Sequence, residues 1–382
     1  MLDTALRDVR IASRLFYKKG LPVSLIFFVT SRCNLLCTHC FYWEELNKRK
    51  NELTLDEIEK ISRSLPNLLT LSLTGGEPYL RADLPDIARA FERNSHVRNI
   101  QIPSNGFQVD RIVSRVEELM GKVRKARVST GVSLDGPEDV HNRIRQDPRS
   151  FKRALQTLTE LKKLKPSFPN LSVGVALTVS SANQHRLDEF FRFIEKELQP
   201  DAVTITLVRG NPIDPSLKEV DLALYRDFAG RVIEYRRTHG LTDGWMDRLV
   251  TAKEEATYRL IGEAAGATSR ISPCYGGELI GILSETGEVY VCETLNKSMG
   301  NVRDFNGDLA RLWRGQLAEE GRHFQKELGC QCTYECAMSV NTLFNPRRAL
   351  GILNTSLRKN RITACAPGDQ KSKSVRFPAS EA

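Results

Sequence analysis

No stretch of this 382-residue chain approaches the roughly 20 consecutive apolar residues that a membrane-spanning helix needs, which excludes a helical membrane protein. The opening residues MLDTALRDVRIASRLFYKKG lack an apolar run followed by a small-residue cleavage site, so no secretory signal is read and a reducing cytoplasm is the expected compartment. Internal repeats and low-complexity tracts are absent before the C-terminal tail. Also missing is a basic face with interleaved aromatics. The net charge is +9, yet Arg347 to Ala382 holds eight Lys/Arg against Asp369 and Glu381, with Phe377 its one aromatic. The surplus therefore reads as a solvated, partly disordered basic tail, and nucleic acid is not an expected partner. Only about 22 residues precede the first strand, which leaves no room there for a fused peptide-recognition domain.

What is present is a globular composition, 41% hydrophobic and 27% charged, in a chain long enough for two to three domains of about 150 residues. Between residues 23 and 208, β-rich runs alternate with helical periodicity. The strands read VSLIFFVT (23–30), LTLSLT (69–74), RNIQIPS (98–104), ARVSTGVSL (126–134), LSVGVALTVS (171–180) and AVTITLV (202–208). The first intervening helix opens at Thr54 with Glu57 as its capping-box partner, and Leu55, Ile58, Ile61 and Leu65 share a face. Later helices carry Ile87 and Phe91, Ile112 and Val116, Leu155 and Leu158, then Phe190, Phe191 and Ile194. Six βα units imply a parallel sheet, as an open barrel or a doubly wound layer, with chemistry at the C-terminal strand ends. A helical stretch follows from about 221 to 263, then a hairpin around Glu285, Thr286 and Gly287.

Directly after the first strand stands Cys33-Asn-Leu-Leu-Cys37-Thr-His-Cys40. Three thiolates this close suit one [4Fe–4S] cluster with one iron left open to a chelating ligand, whereas zinc would need His39 as a fourth donor. The second strand ends in Gly75-Gly76-Glu77-Pro78, where paired glycines permit close backbone approach and Glu77 offers an acceptor for an ammonium. The third ends in Ser104-Asn105-Gly106 and the fourth in Ser133-Leu134-Asp135-Gly136, placing hydroxyl and carboxylate groups on the same rim.

These four motifs, in order on successive strands, resemble those of radical S-adenosylmethionine (radical SAM) enzymes over roughly residues 20 to 210. The resemblance implies an α/β fold with a partial (β/α)6 TIM-like barrel and a small C-terminal hairpin-containing iron–sulfur module. It implies that Cys33, Cys37 and Cys40 hold a [4Fe–4S] cluster whose open iron chelates SAM. Gly75, Gly76 and Glu77 would receive the SAM amino group, with Ser104 and Asn105 beside them. Ser133 and Asp135 would face the ribose, Arg145 the carboxylate, and the backbone at His39 the adenine, with Thr178 and Val179 on its apolar side.

Downstream, Cys274 and Cys292 bracket the hairpin in a C-x12-G-x4-C spacing, and Cys330-Gln-Cys332-Thr-Tyr-Glu-Cys336 supplies three more thiols. This resembles the SPASM and twitch modules that bind auxiliary iron–sulfur clusters. Only six cysteines remain after the first three, and two all-cysteine cubanes need eight, so one auxiliary [4Fe–4S] cluster is expected. Its ligands would be Cys274, Cys292 and two of Cys330, Cys332 and Cys336, with structural zinc as the alternative and Cys365 a spare thiol. The expected organisation is an N-terminal helix over 1–20, the core barrel over 21–215, a connecting helical region over 216–264, the auxiliary module over 265–345 and the tail over 346–382. The stretch Asp3 to Phe16 reads as a helix packing across the barrel bottom, with a membrane-surface role as alternative. Tyr42 and Trp43, just past the cluster loop, are candidates for core packing or substrate contact.

The activity so implied is an oxidoreductase. A reducing electron donor such as flavodoxin or ferredoxin feeds the first cluster, SAM is cleaved, and a 5′-deoxyadenosyl radical takes hydrogen from an unidentified substrate, a small molecule or a peptide. The auxiliary cluster then accepts an electron. A peptide-modifying maturase is the alternative, and a non-catalytic iron–sulfur or zinc protein binding an acidic partner is the remote one.

Overall fold

The computed structural model describes residues 9–18, 20–239 and 244–357. Six parallel strands alternate with helices: β1 (Ser24–Thr30), β2 (Thr70–Gly75), β3 (Asn99–Ser104), β4 (Arg127–Ser133), β5 (Leu171–Val179) and β6 (Val203–Leu207). Residues from all six line one cavity, among them Ile26, Ser72, Gln101, Gly131, Ala176 and Thr206. The sheet therefore curls around a lumen as a partial barrel. Alternation explains the curl. Along β5, Val173, Val175 and Leu177 are buried on the outer face, while Gly174, Ala176 and Thr178 turn inward, where small residues leave space.

The helices Leu55–Ser64, Leu84–Ser95, Val109–Lys122, Ser150–Leu164 and Leu187–Phe193 cover the outer face with Ile58, Ile87, Phe91, Ile112, Leu158 and Phe191 in one apolar core. The Thr54 capping box forms as its spacing predicts, with Glu57 N–H donating to Thr54 Oγ1 (3.3 Å) and Thr54 N–H to Glu57 Oε2 (2.8 Å). Glu57 also receives Arg303 Nε at 2.7 Å, tying this helix to the C-terminal region.

That region joins the sheet of the barrel. β7 (Ile280–Leu283) pairs parallel with β1, Ser24 opposite Ile280, and β8 (Glu288–Tyr290) and β9 (Ser298–Asn301) extend it antiparallel. The nine strands run β6-β5-β4-β3-β2-β1-β7-β8-β9, so β1 lies inside the sheet. All four residues of β7 are buried, as expected of a strand with neighbours on both edges and layers on both faces. The hairpin turns at Gly287, whose φ of +95° is a conformation a side chain would strain.

The connecting region forms two helices, Leu222–Thr238 and Trp245–Ala265. The reading of 346–382 as a tail needs correction at its start: Pro346–Leu357 is a helix packed on Trp245–Ala265, with Ile352 and Ser356 buried. Net charge hid that stripe. The rest of the tail, with Cys365, lies outside the described residues, as do Asp3 to Arg7. Beyond them, residues 9–13 are helical, and Ile11 packs against the cluster of Val23, Tyr275, Leu279 and Phe344. Among the described residues no helix is long and apolar enough to cross a membrane.

Candidate active site

The loop after β1 carries Cys33, Cys37 and Cys40 into the C-terminal mouth of the barrel, where all three line a cavity of about 440 Å³. The loop is held by the turn after β2. Gly76 N–H donates to Thr30 O (2.9 Å) and Glu77 N–H to Arg32 O (2.8 Å), and a Cβ on Gly76 would stand 2.2 Å from Arg32 O. The paired glycines thus let the cysteine loop itself approach, and Gly75, Gly76 and Glu77 also line the cavity. The Glu77 carboxylate is buried and accepts from Asn105 N–H (2.7 Å), Ser104 Oγ (3.0 Å) and Tyr79 N–H (3.3 Å), joining the ends of β2 and β3. Burial pushes its pKa up to about 7 despite those donors.

N–H donors approach the sulfurs: Asn105 Nδ2 reaches Cys33 Sγ at 3.8 Å, and Arg145 Nη1 reaches Cys37 Sγ at 3.6 Å. Sulfur accepts best as thiolate, so this donor set suits metal-bound cysteines. Burial otherwise pushes the Cys33 thiol up to about 12 and Cys40 up to about 11, a penalty that coordination to iron removes. His39 lines the same wall, its buried Nδ1 without a partner and its pKa lowered to about 4 by burial. An orphaned nitrogen there fits a cavity made for a polar ligand.

Ser104, Asn105, Ser133, Arg145 and Thr178 also line the cavity. Asp135 and Val179 do not. Asp135 is buried behind the wall, taking Arg145 Nε at 2.7 Å and Thr178 N–H at 3.1 Å. Burial opposes its charge, but the Arg145 guanidinium, backed by His39 and His141, reverses that and holds the carboxylate well below its usual range. Its place is to orient Arg145. Val179 belongs to the outer apolar core. Tyr42 lines the cavity and donates to Glu285 Oε1 (2.8 Å), whereas Trp43 is 37% exposed and donates to Asn211 O (3.0 Å).

A second cavity of about 280 Å³ gathers Cys274, Cys292, Cys330 and Cys332. Cys336 stands elsewhere, on the wall of the first cavity. Of the last three cysteines, Cys330 and Cys332 share this cavity with Cys274 and Cys292. Here too donors face sulfur, Gly276 N–H to Cys274 (3.4 Å) and Arg270 Nη2 to Cys330 (4.0 Å). Burial pushes Cys274 up to about 11 and Cys332 up to about 12.

Val208, Arg209 and Tyr334 line both cavities and form the partition between them. Arg209 lies over Tyr334 (4.3 Å) and Phe41 (5.1 Å) and pairs with Glu293 at 3.1 Å. It therefore touches the residue after Cys40 and the residue after Cys292. The far wall of the first cavity holds Lys253, Glu254, Tyr258, Glu335 and Cys336. Of these, sequence reading named only Cys336, and for the other site; it missed the rest, and Arg209 as well. Arg209 had a signal, its position just past β6; Lys253 and Glu254 sit mid-helix with none.

The Radical SAM superfamily model matches residues 27–194. Fe-coproporphyrin III synthase of Methanosarcina barkeri (strain Fusaro / DSM 804) is 31% identical over 224 residues, 55% of this chain and 53% of that protein. GTP 3′,8-cyclase of Cronobacter sakazakii (strain ATCC BAA-894) is 31% identical over 174 residues, 44% of this chain and 50% of that one. The chain thus spans about half the length of the curated relatives it matches. Among solved structures, Streptococcus suis SuiB bound to S-adenosylmethionine gives a TM-score of 0.57 at 17% identity, over 84% of this chain and 74% of that one. anSMEcpe with bound AdoMet gives 0.56 at 18% identity, over 87% and 100%. Those two share the fold.

Proposed function

We propose that this chain, whose residues 27–194 match the Radical SAM superfamily model, is an oxidoreductase of that superfamily with an auxiliary cluster of the SPASM or twitch kind. Cys33, Cys37 and Cys40 hold a [4Fe–4S] cluster with one open iron, and Cys274, Cys292, Cys330 and Cys332 hold a second [4Fe–4S] cluster, fully ligated. Bound there, the first cluster with SAM would supply radical chemistry for hydrogen abstraction, and the second would offer an acceptor for one electron. The observation that carries this reading is the sorting of eight cysteines into two adjoining cavities, three and one in the first and four in the second.

The chain's own groups define the rest. Asn105 and Arg145 donate to the thiolates, Asp135 fixes Arg145, and Glu77 braces the rim. The barrel wall keeps bulk water from the reacting carbon. Lys253, Glu254, Glu335 and Arg209 make the substrate end strongly polar, which suits a small polar molecule. A peptide side chain is the second reading, favoured by fold neighbours solved with peptides, SuiB with precursor peptide SuiA and anSMEcpe with the Cp18Cys peptide. An acidic one-electron donor of the flavodoxin or ferredoxin kind would reduce the first cluster, in the cytoplasm.

The test is anaerobic reconstitution followed by iron and sulfide analysis and a SAM-cleavage assay under reduction. About eight irons per chain and release of 5′-deoxyadenosine are expected. Clusters intact with no SAM cleavage would return the chain to a non-catalytic binding protein.

A further inference from the structure

One side chain at the second cavity has no partner in a place where lacking one is expensive. Gln325 is 1% exposed, lies on the buried stripe of the helix Gln316–Glu327 with Ala318 and Gly321, and lines the cavity with the four thiols. Neither Nε2 nor Oε1 has a hydrogen-bond partner. A buried amide left unpaired is destabilising, and buried side-chain polar groups are nearly always satisfied. An apolar residue of the same shape would avoid that cost, so the amide needs an occupant of the cavity to explain it.

Its surroundings give the occupant's sign. Arg270 Nη2 donates to Gln325 O (2.8 Å) and also approaches Cys330 Sγ (4.0 Å), and Arg270 Nε is buried without a partner. The carboxamide thus shares the cavity with the thiols while a guanidinium approaches one of them, a setting that favours added negative charge there.

We infer that the Gln325 carboxamide, backed by Arg270, is a positioning group for an iron–sulfur cluster held by Cys274, Cys292, Cys330 and Cys332, donating to cluster sulfur and raising its reduction potential. The inference rests on the ligand set proposed above. The couple concerned takes up one electron, supplied in the test by dithionite, with no bond made or broken in the protein. A donor to sulfur stabilises the reduced, more negative state, and that is what an electron acceptor beside a substrate cavity requires.

The experiment uses the full chain carrying Cys33, Cys37 and Cys40→Ala, so that only the second site holds iron. Gln325 and Gln325→Met versions are reconstituted and titrated potentiometrically with EPR detection. Methionine keeps the length and removes the amide. Its midpoint is expected to fall, with the reduced-to-oxidised ratio at a fixed poise dropping up to about tenfold, equivalent to about 59 mV for one electron. Without cluster, the Met protein should melt at or above the parent temperature, because the orphaned amide is gone; with cluster, it should lose that advantage. Gln325→Glu, which keeps the shape but lacks the donor, should lower the midpoint further and serves if the Met version does not fold.

Equal midpoints at about four irons per chain would overturn the inference while leaving the ligand set standing. So would loss of iron from the Met version with an unchanged apo melt, since the amide would then hold the cluster and not tune it. No iron in the parent background would overturn the ligand set itself.

Discussion

The two thiol sites are built in opposite ways. The first takes Cys33, Cys37 and Cys40 from a single loop on one strand, while the other strands and the helices that carry Lys253 and Glu335 supply only wall. The second takes Cys274 from before β7, Cys292 from after β8, and Cys330 and Cys332 from a loop beyond the helix Gln316–Glu327. One loop can present three ligands and leave a face open. Closing a site with four ligands takes several segments, and the tertiary fold must bring them together before any metal sees them.

The sharpest way to break this contrast is to strip each site in turn. Cys33, Cys37 and Cys40→Ala should abolish SAM cleavage and lower iron from about eight to about four per chain. Cys274→Ala should lower iron by the same amount yet still release 5′-deoxyadenosine without substrate oxidation, read by product analysis. A protein in which either change empties both sites would show the sites to be one assembly.

Cys336 sharpens the boundary between them. Placed on the first cavity, Cys336→Ser should retain about eight irons, whereas Cys332→Ser should lose about four, by iron assay. Equal loss in both would move Cys336 into the second site.

A smaller effect tests how the first loop is held. Gly76→Ala pushes a methyl against Arg32 O, so either strand end must shift, and a stability loss of about 1–3 kcal/mol is expected in urea unfolding of the apo-protein. Gly287→Ala should cost about 1 kcal/mol through its positive φ, and should lower retention of the second cluster and not the first.

The smallest effect is a pH slope. Glu77 has a folded pKa raised to about 7 from an ordinary 4.5, so the folded state holds a proton that the unfolded state has lost. Its contribution makes the apo-protein less stable as pH rises from about 4.5 through about 7. Glu77→Gln should flatten the curve between pH 5 and 8; a curve parallel to the parent's would mean that Glu77 is charged throughout.

The same contrast explains what could be read from the chain. All six barrel strands stand within a residue or two of their sequence reading, because a period of two against a period of 3.6 is written locally in runs such as LSVGVALTV. The first cysteine loop was legible for the same reason. Pairing of β7 with β1 has no local mark, so the C-terminal hairpin read as a separate module. Val179 stands one residue past Thr178, and one residue along a strand reverses the face, while Asp135 lies beyond the end of β4, where strand alternation no longer sets its direction. Lys253 and Glu254 reach the cavity only because their helix is folded back over the barrel mouth, and in sequence they are ordinary charges on a helix.

The pairing of β1 with β7 also sets an order of events in the cell. β1 is synthesised early and gains its β2 neighbour soon after, but its other edge, along SLIFFVT, finds its partner only when Ile280 to Leu283 has left the ribosome. Until then the strand that carries the first cysteine loop is a naked, apolar edge, open to pairing with another nascent chain. Completing the auxiliary region therefore also shields the oldest strand of the barrel, and a chain stopped short of Ile280 would be a template for aggregation as well as a protein without its second site.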